Sequence, residues 1–202
     1  MTARRHLQSA SGWWQFAVAA LLPLNLELLL ALLAPPGVLG ERREELYGGL
    51  ALLALLLVLL TRALPWLRPY RRALGLAAFA YGLYHGLLAV QHVLQGDPTN
   101  LLFLNQGTQA SYWAGILALA GLLPLALTSF SGAQRLLGRG WKRLHRAGPW
   151  LTLLSALHTA WAGVHFGLSP LKWTSAALLA LSAALFLLRG RRPLLVSSRS
   201  SE

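Results

Sequence analysis

The sequence predicts an all-α membrane protein, a polytopic bundle of six transmembrane helices. Hydrophobic residues make up 55% of the 202 residues and charged residues only 12%, whereas soluble globular domains carry about 25% charged residues. Six stretches of the chain are long and apolar enough to cross a bilayer, which takes about 20 mainly apolar residues. The basic residues are concentrated at one set of stretch ends. These observations indicate that membrane lipid is the main solvent of the chain.

The six predicted spans follow one another with short linkers. They are residues 13–34, 46–64, 73–94, 110–130, 147–167 and 170–188. The first is too long for a signal-peptide core and is not followed by a small-residue cleavage site, so we expect it to be retained. We expect residues 1–12 to form a cytoplasmic tail and residues 13–188 one six-helix domain. Residues 189–202, a basic and serine-rich tail, are expected to be disordered.

Charge distribution predicts the orientation of the bundle. Fifteen of the 18 lysines and arginines lie at one set of span ends and three at the other. Because basic residues accumulate on the cytoplasmic side of a membrane, both termini are predicted to be cytoplasmic. Spans one, three and five then run outward, and spans two, four and six return.

Composition also excludes several classes of function. The sequence pI is about 11.6, but nucleic-acid binding would need the basic residues clustered on a polar folded domain, and here they lie in short loops between apolar runs. The chain has no cysteine. Disulfides, thiolate-bound clusters, covalent haem attachment and zinc-thiolate sites are therefore excluded, and any metal must be bound by histidine or carboxylate.

Histidines are the strongest chemical signal, because five of the six lie on the third and fifth spans or at their ends. They are His85, His92, His145, His158 and His165. Imidazole is a common axial ligand of haem iron, and two spans that run in the same direction can present histidines at matched depth. This pattern predicts a haem between spans three and five.

A common offset of 73 residues relates three pairs on these two spans: Arg72 with His145, His85 with His158, and His92 with His165. The middle pair lies about 20 Å beyond the first, and the last pair about 10 Å farther. A haem macrocycle is wider than the distance between the last two pairs. Only one of them, His85 with His158 or His92 with His165, is therefore expected to bind haem iron. Spacing leaves open which pair does so, and only permits a second haem at His145.

Residues from about 71 to 188 resemble the MsrQ or YedZ family. These are the haem-binding membrane subunits of the periplasmic methionine-sulfoxide reductase system, within the ferric-reductase-like transmembrane group. The matching residues are the run Arg71-Arg72-Ala73-Leu74-Gly75-Leu76 before His85, then Thr128-Ser129, Gln134-Arg135, Leu137-Gly138, Trp141, Leu144-His145 and His158. The loop from Leu137 to His145 is the most specific part.

The resemblance implies non-covalent b-type haem, with His85, His145 and His158 at the family's three haem-associated histidines. In the wider group four histidines form two pairs, and the fourth position falls at Arg71 or Arg72, where an arginine could pair with haem propionates or complete the coordination. His92 and His165 lie outside the family pattern. From position alone, they could bind a quinone or a propionate, or contact an external partner.

The expected function is electron transfer across the bacterial inner membrane. One haem cannot carry an electron across about 30 Å of hydrocarbon, so two haems are favoured. Because the sequence has no glycine-rich dinucleotide motif, a separate donor is expected. By the resemblance this is a cytoplasmic flavin reductase, with FMN as a further candidate cofactor, or the quinone pool. The acceptor implied is a periplasmic molybdopterin enzyme that reduces methionine sulfoxide.

Two other functions are compatible with the sequence. One is a transmembrane ferric or quinone reductase that acts without a dedicated partner. The other, from a different class, is a small transporter that uses Glu27, a carboxylate in the middle of the first span. A transporter predicts inverted repeats, but gives no reason for histidines at a shared offset.

Overall fold

The computed structural model describes residues 3–163 and 172–188, and within these ranges every regular element is helical. The eight α-helices are α1 (Ala3–Leu33), α2 (Leu39–Leu60), α3 (Arg71–His92), α4 (Gln106–Leu127), α5 (Ser131–Leu137), α6 (Arg139–His145), α7 (Gly148–Ala162) and α8 (Lys172–Leu188). The all-α prediction is confirmed for the described residues.

Prolines and short polar side chains set the boundaries of the first helices. Each of the three linkers between α1 and α4 contains a short 3₁₀ helix that begins with proline, at Pro36–Val38, Pro65–Tyr70 and Pro98–Phe103. Proline suits the first turn of a helix because its missing N–H would have no partner there. The side chain of Asn105 accepts a hydrogen bond from the Thr108 N–H at 3.0 Å, which caps the start of α4.

Three helical stretches of the described chain have the length and composition to cross a membrane: Phe16–Leu33, Pro65–His92 and Gln106–Leu127. They coincide with the first, third and fourth predicted spans. Charged residues at positions 41–45 occupy the start of α2, and its apolar part begins at Leu46. The apolar stretch Trp173–Leu187 of α8 is shorter, and α7 has 15 residues.

Several helix ends differ from the predicted spans. α2 begins at Leu39, seven residues before the predicted span, because charged residues that a span excludes are nevertheless good helix formers. α7 ends at Ala162, and Gly163 follows with a φ of 86°. Two short helices, α5 and α6, occupy the predicted loop between spans four and five, separated by Gly138 at a φ of 48°. Residues 164–171 and 189–202 lie outside the described residues.

α2 packs against four other helices, namely α1, α3, α7 and α8, while α4 packs against α3 and α7. Small residues form much of the core, and Ala78 and Ala156 are fully buried. Ala78 lies with Leu55 and Leu122 in one cluster. Small side chains let helices approach closely in a membrane, where packing rather than water exclusion holds them together. α1 lies at the edge of the bundle with most of its leucines exposed.

Candidate cofactor site

A cavity of about 1040 Å³ lies between α2, α3, α4 and α7. Two of the predicted histidines line it, His85 from α3 and His158 from α7. Most of the other lining residues are apolar, and among the described residues no lysine or arginine lines the cavity. Three acidic residues at the start of α2, Glu41, Glu44 and Glu45, also line the cavity and form its acidic end.

The two imidazoles face each other across this cavity. Their ring centroids are 6.1 Å apart, with an angle of 64° between the ring planes. An imidazole nitrogen lies about 2.0 Å from the metal it binds and about 1 Å from its own ring centre, so two axial imidazoles on one ion have centres about 6 Å apart. Axial rings can adopt any angle about their common axis. The observed separation therefore fits two ligands of one iron.

Hydrogen bonds assign the free nitrogen of each ring. His85 Nδ1 lies 3.0 Å from the backbone oxygen of Glu44, and His158 Nδ1 lies 2.8 Å from the backbone oxygen of Ser111. A carbonyl oxygen only accepts, so each Nδ1 donates and each neutral ring keeps a bare Nε2. This is the second-shell arrangement typical of metal-ligating histidines.

The number of ligands also favours haem over a bare metal ion. In the described part of the chain, no three side chains of histidine, aspartate or glutamate converge on a possible metal site. A structural zinc ion takes four ligands from the protein and a catalytic one takes three, whereas a haem iron needs only its axial ligands. The histidine pair and the apolar cavity therefore fit a bis-histidine haem.

The acidic end of the cavity adjoins this pair, because the Glu44 carbonyl accepts the hydrogen bond from His85. Burial of the Glu44 side chain, together with the negative charges of Glu45 and Glu41, raises the pKa of Glu44 to about 7. Near neutral pH its carboxyl group is therefore only partly ionised.

The outer predicted pair is placed differently. His92 is exposed at the end of α3 and does not line the cavity. Its ring lies against the backbone of Gly40 in α2, where an added Cβ would be 2.5 Å from His92 Cε1. His165, its predicted partner, lies outside the described residues. Of the two alternatives that spacing left open, the structure brings His85 and His158 together.

His145 lies at the end of α6, where its ring stacks on Trp141 with centroids 4.2 Å apart. Its Nε2 is 3.0 Å from the Thr128 hydroxyl, and Trp141 Nε1 donates to the Thr128 carbonyl at 2.9 Å. Burial lowers the pKa of His145, and the positive charge of Arg71 lowers it further. Arg71 is thus near His145, whereas the shared offset had paired His145 with Arg72, the exposed neighbour of Arg71 at the start of α3. His145 does not line the cavity.

Glu27 is engaged by two partners. Its Oε1 lies 2.8 Å from Arg43 Nε, and its Oε2 accepts a hydrogen bond from the Tyr47 hydroxyl at 2.8 Å. Neither Glu27 nor these partners line the cavity. These contacts favour a structural role for the carboxylate, as a link between α1 and α2, over a transport site.

Sequence reasoning missed the acceptors that orient the two histidines. Glu44 and Ser111 act through backbone carbonyls, and every residue has one, so residue type carries no signal. Ser111 has a second contact, since its hydroxyl donates to the His158 carbonyl at 3.3 Å. Ser111 is buried in α4, and a serine within the predicted fourth span is the one signal that sequence alone could have used.

The chain was compared with known proteins. The family model for the ferric reductase like transmembrane component matches residues 11–156. Proteins named protein-methionine-sulfoxide reductase haem-binding subunit MsrQ, from Brucella ovis, Brucella canis and Brucella suis, are each 37% identical over 160 residues. Each match covers 75% of this chain and 69% of the relative. No solved structure matches the chain. The chain therefore belongs to the ferric-reductase-like transmembrane family and, within it, to the MsrQ family.

Proposed function

We propose that the chain is a membrane electron-transfer subunit that binds a b-type haem between His85 and His158. The facing pair carries this proposal, because its ring separation suits one iron and both Nδ1 atoms donate to carbonyls. The haem-binding name of the MsrQ relatives supports the same cofactor. The electron-transfer role makes the chain a part of an oxidoreductase system.

Each part of the site has a defined task. His85 and His158 hold the cofactor between α3 and α7, and the apolar walls keep water away from it. When bound between His85 and His158, the haem would supply a one-electron carrier suited to outer-sphere transfer rather than to binding of oxygen or substrate. The protein fixes the position of the carrier through the carbonyls that orient its ligands.

The proposed setting is the bacterial inner membrane, with residues 13–188 forming one six-span domain and both termini in the cytoplasm. Three stretches of membrane-spanning length and composition and the charge asymmetry between the two sides support this arrangement. In this orientation the His85–His158 pair lies nearer the periplasmic side. The acidic end of the cavity then faces the periplasm.

The direction of transfer follows from this orientation. Electrons would enter from a cytoplasmic flavin reductase or from quinol and leave to a periplasmic molybdopterin reductase of methionine sulfoxide. The name of the MsrQ relatives supports this acceptor. On the cytoplasmic side, exposed basic residues of α5 and α6 suit docking of an acidic donor protein. They are Arg135, Arg139, Lys142 and Arg143.

Single alanine substitutions test the haem site. We expect His85→Ala and His158→Ala each to lose the low-spin bis-histidine signal in a dithionite-reduced minus oxidised spectrum of the purified protein. His92→Ala is the matched control, because this histidine lies on the same helix as His85 but outside the cavity. It should keep the signal and the haem content of the parent. An unchanged spectrum in both cavity variants would rule out the site.

A further inference from the structure

The two cavity histidines are held by the same backbone arrangement on two different helices. The His85 ring lies against Gly48 of α2, and its Nδ1 bonds to the carbonyl of Glu44, four residues before that glycine. The His158 ring lies against Gly115 of α4, and its Nδ1 bonds to the carbonyl of Ser111, again four residues earlier.

We propose that Gly48 and Gly115 are positioning residues for the two haem ligands, because each lets an imidazole lie on a helix backbone and donate Nδ1–H to the carbonyl one turn earlier. The inference rests on the proposed function of His85 and His158. It goes beyond that function by assigning their orientation and their donor strength to two glycines on neighbouring helices.

Helix geometry explains why a glycine is needed. The carbonyl of residue i−4 already accepts the N–H of residue i, but its oxygen has a second lone pair. The side chain of residue i normally covers that oxygen. A Cβ at Gly48 would lie 2.9 Å from His85 Nδ1, and one at Gly115 would lie 3.0 Å from His158 Cε1. The contact at Gly48 is closer than Cβ atoms normally approach, and the contact at Gly115 is tight enough that the ring must move by a few tenths of an ångström. An alanine at either position therefore pushes the ring away from its carbonyl.

His92 shows that contact with a glycine is not sufficient. Its ring also lies against a glycine of α2, Gly40, but His92 is exposed and does not line the cavity. Within the described residues, no carbonyl accepts a hydrogen bond from this ring. Glycine contact and carbonyl bond occur together at the two rings that face each other.

The expected consequence is electronic. A hydrogen bond from Nδ1 to a carbonyl makes the imidazole a stronger donor to its metal and fixes its orientation. Stronger donation stabilises the oxidised iron. Weakening either bond should therefore shift the midpoint potential of the haem to more positive values, and rotation of the ring should change its low-spin electron paramagnetic resonance spectrum.

Alanine substitutions on the same two helices provide the test, with haem content, midpoint potential and low-spin resonance as readouts. Gly48→Ala and Gly115→Ala should each raise the potential and shift the resonance positions. Gly75→Ala, on α3, is the control for a glycine-to-alanine change in a helix, because nothing lies within 4 Å of its added Cβ and it does not line the cavity. Gly121→Ala is the control for helix packing, because its Cβ would lie 2.4 Å from Leu151 Cδ2, away from both histidines. Both controls should keep the parent potential.

Several outcomes would overturn the proposal. The proposal is overturned if Gly48→Ala and Gly115→Ala both keep the midpoint potential and the resonance spectrum of the parent protein. It is also overturned if Gly121→Ala shifts them by the same amount. Loss of haem from folded Gly48→Ala and Gly115→Ala, with haem retained in both controls, supports it. A parent protein without a bis-histidine haem would instead refute the proposed function.

A double variant distinguishes a clash with the histidine ring from a general packing defect if a glycine variant does not fold. If Gly48→Ala does not fold, the clash with the His85 ring predicts that Gly48→Ala combined with His85→Gly folds again, as judged by circular dichroism. Recovery of the fold supports the proposed contact. A double variant that remains unfolded would show that Gly48 serves helix packing alone, and would refute its role in positioning His85.

Discussion

At the scale of single residues, His145 differs from the cavity pair in what its Nε2 contacts. In His85 and His158 the Nδ1 atom bonds to a carbonyl and Nε2 is bare, whereas Nε2 of His145 lies 3.0 Å from the Thr128 hydroxyl. To ligate a second haem, His145 would have to exchange this hydroxyl for iron. A single weak hydrogen bond, of about 1 kcal/mol, opposes that exchange.

The second haem therefore stays a prediction, and haem counting tests it. We expect about two haems per purified chain, because one cannot relay an electron across about 30 Å of hydrocarbon. His145→Ala should leave about one, with the signal of the His85–His158 site unchanged. Thr128→Ala, which removes only the competing hydroxyl, should keep both. About one haem per chain that is unaffected by His145→Ala would contradict the prediction.

How much of the site the sequence predicted depends on the kind of interaction. The shared offset of 73 residues placed His85 opposite His158 because two helices that run in the same direction have the same rise per residue. It could not choose between that pair and the outer one, since residues seven apart share a face. The partners of Nδ1 were missed because they are backbone atoms of other helices.

At the scale of elements, α1 depends on a few polar contacts. Most of its leucines are exposed, and it is linked to α2 by Glu27 through Arg43 and Tyr47. A second link joins it to α3, where the Tyr81 hydroxyl donates to the carbonyl of Ala19. Ion pairs and hydrogen bonds of this kind hold helices together in a membrane, where apolar contact alone gives little preference over lipid.

Substitution of Glu27 should therefore destabilise the bundle. Glu27→Leu leaves Arg43 and Tyr47 without their partner, and we expect a loss of about 1–3 kcal/mol in the free energy of unfolding. Glu27→Gln keeps an acceptor for Tyr47 and should lose less. Thermal unfolding of the protein in detergent measures both changes.

Arg42→Gln is the matched control, because the ion pair that Arg42 forms among the described residues is a local one with Glu45, three residues away on the same helix. Such local pairs contribute about 0.3–0.5 kcal/mol. Equal stability of Glu27→Leu and this control would show that the Glu27 contacts do not hold α1. A specific loss of electron transfer in Glu27→Gln, with stability and haem intact, would instead indicate a functional carboxylate.

Helix ends were predicted less well than helices, for a physical reason. Hydropathy locates the apolar segment, but a helix continues as long as its residues favour the conformation. This is why α2 extends back through the charged residues 41–45. It is also why α5 and α6 were missed, since helices of seven residues that contain basic side chains leave no long apolar signal.

At the scale of the whole molecule, the charge asymmetry and the position of the two cavity histidines support the proposed direction of electron flow. Fifteen basic residues lie on one predicted side and three on the other. In the predicted spans the His85–His158 pair lies closer to the side with three basic residues, and Glu41, Glu44 and Glu45 line the same cavity. An electron on this haem is therefore placed to leave toward the periplasm, provided that the basic side faces the cytoplasm.

Because the chain has no cysteine, single cysteines introduced into its loops can establish this orientation. We expect a membrane-impermeant maleimide, added to intact spheroplasts, to label Gly37→Cys and Leu102→Cys, which lie in the α1–α2 and α3–α4 linkers. Trp66→Cys and Leu136→Cys, in the α2–α3 linker and in α5, should be labelled only after the membrane is opened. All four positions are exposed on the surface of the protein, so packing within the protein cannot protect them, and the parent chain should remain unlabelled. Labelling of Trp66→Cys or Leu136→Cys in intact spheroplasts would show that the predicted topology is inverted or otherwise wrong. If the topology is inverted, the His85–His158 pair lies nearer the cytoplasm. Delivery of electrons to a periplasmic acceptor would then need a second carrier on the opposite side.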